Sequence, residues 1–155
     1  MAEQKLDKEV VIAALNKILE LELAGVVRYT HYSLIVYGYS RIPIVSWLRK
    51  QADESLLHAQ EAGEMITHLG EHPSLAIGPL LETHKHDIGD ILRESLETEQ
   101  IALDQYLKLL ELTRDRSVML EEYARRKVFE EEIHIGEVDK MLRKPGDIRA
   151  FTEDD

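Results

Sequence analysis

Apolar residues recur along this chain at steps of three and four, the spacing that gathers them on one face of an α-helix, and no stretch alternates like a strand. Four such runs can be drawn. The first begins near Asp7, a residue suited to an N-cap, and continues to about Tyr37, where Gly38 and Pro43 interrupt it. The second begins around Pro43, favoured in the first turn of a helix, and ends at Gly70 with Pro73 just beyond. From Glu71 to about Thr83 the chain holds two prolines and a glycine, which predicts a long crossover rather than a hairpin turn. A third helix is expected from His84 or Asp87 to Leu112. Residues 113–117 form a short connection, and a fourth helix runs from about Val118 to Arg143, stopped by Lys144-Pro145-Gly146. The tail from Asp147 to Phe151 has room for a short C-terminal helix. Helices of this length are each roughly 40 Å long at 1.5 Å per residue. The pattern therefore predicts an all-α fold, an antiparallel four-helix bundle with one long crossover, as a single domain over residues 1–155.

Each apolar stripe is broken near its middle by a polar residue. In the first, Glu22 falls between Ile18 and Tyr29; in the third, Glu99 falls between Leu92 and Leu103. The fourth carries Glu131 and His134, one turn apart and on the same face, flanked by Ala124, Val128 and Val138. The second has Glu54, Ser55 and His58 at its midpoint. An ionised carboxylate buried alone costs several kcal/mol even after relaxation. Arg125, Arg126 and Lys127 are expected to turn elsewhere, which leaves no cation on the stripe. A metal ion is then the natural partner, since Glu and His both bind iron, manganese and zinc well.

Glu-x-x-His by itself is a weak signal. Repetition strengthens it. Antiparallel packing brings the four helix midpoints to one level, and four uncompensated buried carboxylates would exceed the ~5–15 kcal/mol stability of a domain. Two divalent cations balance four carboxylates. A Glu from each of two helices and a Glu/His pair from each of the other two is the ligand pattern of di-iron and di-manganese helical bundles.

Composition narrows the alternatives. With 155 residues, 44% apolar and 32% charged, the chain has the length and balance of one globular domain. A net charge of −11 disfavours nucleic acid and anionic membrane as partners and suits a surface that attracts cations. The absence of cysteine removes disulfides, thiol catalysis, zinc ribbons and iron–sulfur clusters. The N-terminal residues lack a signal peptide's basic start and apolar run, and no stretch is apolar enough to span a bilayer, so the cytoplasm is the expected compartment.

Residues 15–29, Leu92 through Glu99, and Glu131-Glu132-Ile133-His134 resemble bacterioferritin, and the resemblance extends over most of the chain. It implies a ferritin-like bundle with a di-iron ferroxidase centre that oxidises Fe(II) with O₂ or H₂O₂ for iron storage and detoxification. In that family's pattern Glu22 and Glu99 are terminal ligands, Glu54 and Glu131 bridge, and His58 and His134 each serve one iron. Manganese or zinc could substitute. A tyrosine two turns after the first Glu lies beside the metals, and Tyr29 matches it as the catalytic residue. The resemblance also implies a homo-oligomer, at least a dimer and up to a 24-subunit cage.

Three features depart from the family. Glu54 and His58 are four residues apart where the family has three, and counting back from Gly70 without a gap aligns Glu54 with the family's Glu. Ser55 replaces the haem-ligating methionine, so haem is not expected. The C-terminal segment is shorter than the family's fifth helix, which favours the alternative of a non-storing di-iron or di-manganese oxidase or peroxidase working as a dimer. The remaining histidines, His31, His68, His72, His84 and His86, read as surface or loop residues. Trp47 and Tyr106 read as core, and Glu130, Glu132 and Glu137 as a solvated face.

Overall fold

The computed structural model describes residues 5–150. Four long helices account for most of them: α1 (Lys8–Ile35), α2 (Arg41–His68), α3 (Ile88–Thr113) and α4 (Val118–Leu142). No strand occurs among the described residues. No helix among them is long and apolar enough to cross a membrane.

The helix ends follow local chemistry. The side chains of Asp7, Asp87 and Ser117 accept hydrogen bonds from the amides of Val10, Asp90 and Leu120 and so cap α1, α3 and α4. α2 starts two residues before Pro43, which still falls in the first turn, where its missing N–H is not needed. At the other end of α2, Gly70 takes φ of +87°. The Gly70 amide then bonds to the Thr67 carbonyl and the Glu71 amide to the Ile66 carbonyl, closing the helix as a Schellman motif. The short helix expected after residue 146 does not form within the described chain. Residues 143–150 make turns and bends around Pro145 and Gly146, and Phe151 lies outside the described residues.

The crossover, residues 69–87, climbs along α1. Ser74 N–H donates to Asn16 Oδ1 at 2.9 Å, Gly78 N–H to the Glu20 carbonyl at 2.8 Å, and Arg28 Nη2 to the Pro79 carbonyl at 3.2 Å. A Cβ at position 78 would stand 2.9 Å from that same Glu20 oxygen, so only glycine permits the approach. The climb returns the chain to the end of the bundle where α2 began, so α3 runs parallel to α2 and antiparallel to α1. α1 packs along α2, α3 along α4, and α1 against α3.

The interior is two apolar clusters with a polar level between them. One holds Val11, Leu15, Ile18, Ala62, Ile66, Leu109 and Leu120; the other holds Tyr32, Val36, Leu48 and Ile91. Glu22, Ser55 and Glu131 are buried at the level that separates them.

Candidate metal centre

Each helix delivers its polar midpoint residue to this level. Glu22 from α1, His58 from α2 and Glu131 from α4 converge so that one ligand atom from each lies within 4.8 Å of the others. His58 Nδ1 is 3.5 Å from Glu22 Oε1 and 3.4 Å from Glu131 Oε1. Beside this group stands a second, from α1, α3 and α4. The Tyr29 hydroxyl contacts Glu99 Oε1 at 2.6 Å, Ser95 Oγ at 2.7 Å and His134 Nε2 at 3.3 Å, and His134 Nε2 is 3.7 Å from Glu99 Oε1. Glu131 lies next to both groups: its charge state is tied to Glu99 and Glu22 as well as to His58.

Glu54 stands apart from the three clustered residues. It is half-buried on the wall of a cavity of about 650 Å³ that opens between α2 and α4. The inward position on α2, three residues before His58, belongs to Ser55, which is buried. This matches the relation of Glu131 to His134 on α4, with a hydroxyl in place of a carboxylate. Ser55 fits because α1 comes close there: a Cβ on Gly25 would lie 2.9 Å from Ser55 Oγ and 3.3 Å from its Cβ. The same cavity is walled by Trp47, Gln51 and His58 on one side and by Glu130, Glu131, His134 and Glu137 on the other.

The electrostatics are those of a site short of positive charge. Burial pushes the Glu131 carboxyl well above the usual carboxylate range, and the neighbouring Glu99 charge adds to the rise. Burial likewise raises Glu22, against the pull of His58. Burial opposes the charged form of Glu99 too, but Glu131, His134 and Tyr29 together hold it below the usual range. Burial alone would depress His58; hydrogen bonding to Glu131 and Glu22 overrides it and carries the imidazole up to about 10. The Tyr29 and Tyr106 hydroxyls are pushed up by burial and then by the carboxylates they touch, so both are held as neutral donors.

A divalent cation fits this donor set. The convergent atoms are carboxylate oxygens and imidazole nitrogens with no thiolate, which suits iron, manganese or zinc. Glu131 Oε2 is buried with no hydrogen-bond partner among the described residues, a costly orphan that a cation would relieve. Glu22, Glu131 and His58 would hold one ion; Glu99, His134 and Glu131 have the chemistry for a second.

Several participants were not expected from the sequence. Lys127 is 1% exposed rather than turned outward, and pairs with Glu61 and Glu130. It sits four residues before Glu131, and that spacing was the signal available. Glu130 is half-buried and 3.3 Å from His58 Nε2 instead of lying on a solvated face. Tyr106 is core, as expected, yet its hydroxyl donates to Glu22 Oε1 at 3.0 Å. Trp47 is part of the cavity wall and stacks on His134.

With this geometry in hand, residues 12–146 match the model of the ferritin-like domain. The chain belongs to the ferritin-like family. Its solved structural neighbours agree. A ferritin-like diiron-carboxylate protein from Bacillus anthracis str. Ames superposes with a TM-score of 0.83 at 21% identity, covering 90% of this chain and 100% of that one. The dodecameric thioferritin of Bacteroides fragilis, a bacterioferritin-related protein, gives 0.82 at 24% identity over 89% and 87% of the two chains. Desulfovibrio desulfuricans bacterioferritin gives 0.77 at 23% identity over 91% and 83%. At these identities the likeness is one of fold. No curated protein matches the ferritin-like chain by sequence.

Proposed function

We propose that this ferritin-like protein takes two Fe(II) ions as substrate and oxidises them with O₂ or H₂O₂ in the cytoplasm, for storage or detoxification of the ferric product in a homo-oligomeric shell. The observation that carries this reading is the orphaned Oε2 of Glu131, buried where carboxylates and imidazoles from all four helices meet. Glu22 and His58 serve one ion, Glu99 and His134 the other, and Glu131 spans the two. Glu54, half-buried on the wall of the cavity beside them, is a further carboxylate that α2 offers as a ligand.

Each Fe(II) gives up one electron. Two electrons and two protons reduce O₂ to H₂O₂, or convert H₂O₂ to two molecules of water. Tyr29, within hydrogen-bond reach of Glu99 and His134, is the residue suited to pass a proton or a further electron to the site. Mixing Fe(II) and peroxide with the protein is expected to raise ferric absorbance rapidly, and Glu131→Ala is expected to remove that phase. Equal rates for the two proteins would rule the site out.

A second reading is a dimeric di-iron or di-manganese oxidase or peroxidase that stores nothing. The inward serine at position 55 favours it, because the centre then carries less negative charge than four inward carboxylates would provide. Light scattering discriminates the two: a shell of many subunits supports storage, a dimer the non-storing enzyme.

A further inference from the structure

A lysine buried beside a metal centre is out of place on electrostatic grounds, since its ammonium repels the ions that the carboxylates attract. Lys127 nevertheless has a side chain only 2% exposed. It contacts Glu61 Oε2 on α2, and its Nζ is 2.8 Å from Glu130 Oε2 on α4. An ammonium offers donors only, so both carboxylates are held as acceptors. The Glu130 oxygen that meets Lys127 also stands 3.3 Å from His58 Nε2. The other ring nitrogen, Nδ1, faces Glu22 and Glu131. The result is a chain of contacts from Glu61 through Lys127 and Glu130 to the back of the imidazole whose front faces the carboxylates.

We propose that Lys127 and Glu130 are positioning residues that orient His58, with Nδ1 toward the metal and Nε2–H donated to Glu130. The proposal rests on the reading of Glu22, His58 and Glu131 as metal ligands. A ligating imidazole commonly gives its second N–H to a carboxylate, which fixes the tautomer and the ring angle, and loss of such a partner weakens metal binding by about 10- to 100-fold. Lys127 adds a function that a carboxylate alone lacks. It ties Glu130 to Glu61 across the gap between α4 and α2, where the helices enclose a cavity rather than pack closely. Among the described residues no carboxylate–lysine pair backs His134 in this way. Its ring is held instead by Tyr29, Glu99 and the flat face of Trp47, so the relay acts on one half of the centre.

The test uses the full-length apoprotein and Co(II), whose visible bands report ligand geometry and whose affinity is read by chelator competition. Lys127→Met keeps the volume and apolar stem, and Glu130→Ala alters a half-exposed position that the fold tolerates. Each is expected to weaken the Co(II) site about 10- to 100-fold and to change its visible spectrum. Combined with His58→Ala, neither variant should add a further loss, because both act through His58. Should Lys127→Met unfold, Glu130→Ala carries the same cycle. The relay is overturned if His58→Ala weakens Co(II) binding while Lys127→Met and Glu130→Ala leave it unchanged, or if their losses add to that of His58→Ala. If substitution of Glu22, His58 and Glu131 leaves Co(II) binding intact, the ligand assignment itself has failed and the relay falls with it.

Discussion

Trp47 lies flat against His134, with ring centroids 6.0 Å apart and ring planes 5° from parallel. The indole closes one side of the imidazole and fixes the plane in which its nitrogens point. It is also the only tryptophan in the chain. Its emission therefore reports on this site alone. Adding Fe(II) or Co(II) to apoprotein is expected to quench tryptophan fluorescence saturably, and His134→Ala or Glu131→Ala should abolish the effect. Quenching of equal depth in those variants would mean that the metal binds elsewhere.

Tyr29 donates a hydrogen bond to Glu99 and is 1% exposed. Tyr29→Phe removes the hydroxyl and keeps the ring in the apolar cluster of Tyr32 and Leu48. A hydrogen bond to a charged group is worth about 1.5–3 kcal/mol, so if that interaction strengthens during oxidation the rate falls about tenfold or more. Stopped-flow ferric absorbance checks this, with Co(II) affinity as the control that the ligands stay in place. An unchanged rate would remove Tyr29 from the reaction.

The apoprotein should lose stability as the solution becomes more alkaline. His58 holds its proton more tightly when folded, at about 10 against the ordinary 6.5. The stabilisation from its pairing is complete below about 6.5 and is lost as pH rises through about 10. Glu22 and Glu131, also raised, act in the same direction as pH climbs above the ordinary carboxyl range, and Glu99, lowered, acts against them in acid. A bound metal takes the place of the His58 proton, so the loaded protein should not share this alkaline decline. Urea midpoints at pH 6 and pH 9, with and without Zn(II), measure both effects. A midpoint that rises from pH 6 to pH 9 in the apoprotein would contradict the pairing.

Gly78→Ala should weaken the strap that the crossover forms along α1. The added methyl group would meet the Glu20 carbonyl oxygen at 2.9 Å and the Ala24 Cβ at 3.3 Å, and the first of these is rigid helix backbone. The crossover must move, and the Gly78 amide then loses its 2.8 Å bond to Glu20. A cost of about 1–3 kcal/mol follows from such overpacking, read as a lower urea midpoint. Faster protease cleavage within residues 74–82 should accompany it.

Much of this molecule was legible because a helix's apolar period is hard to disguise over more than twenty residues. The four helices, the crossover and the inward Glu22 and Glu131 all follow from stripes with one polar interruption each. The second helix was harder to read. Glu54 and Ser55 are neighbours, and both lie within one turn of His58, four and three residues away, so spacing alone does not choose between them. The choice depends on Gly25 of α1, whose missing side chain lets α2 come close enough for only a small group to face it. Lys127 was misread for a different reason. A lysine beside two arginines looks like a solvated run; the four-residue step to Glu131 places it on the buried face, but its burial also depends on Glu61 standing ready on α2, which no periodicity within α4 reveals.

The cavity opens on the flank of the bundle, between α2 and α4, which the Lys127–Glu61 pair bridges. A slight swing of the α3–α4 hairpin away from the α1–α2 hairpin would widen the mouth without breaking any bond inside a helix. Ions could then come and go while every turn of backbone stayed wound. The amides of residues 51–58 and 130–134 should accordingly exchange with heavy water no faster during turnover than at rest.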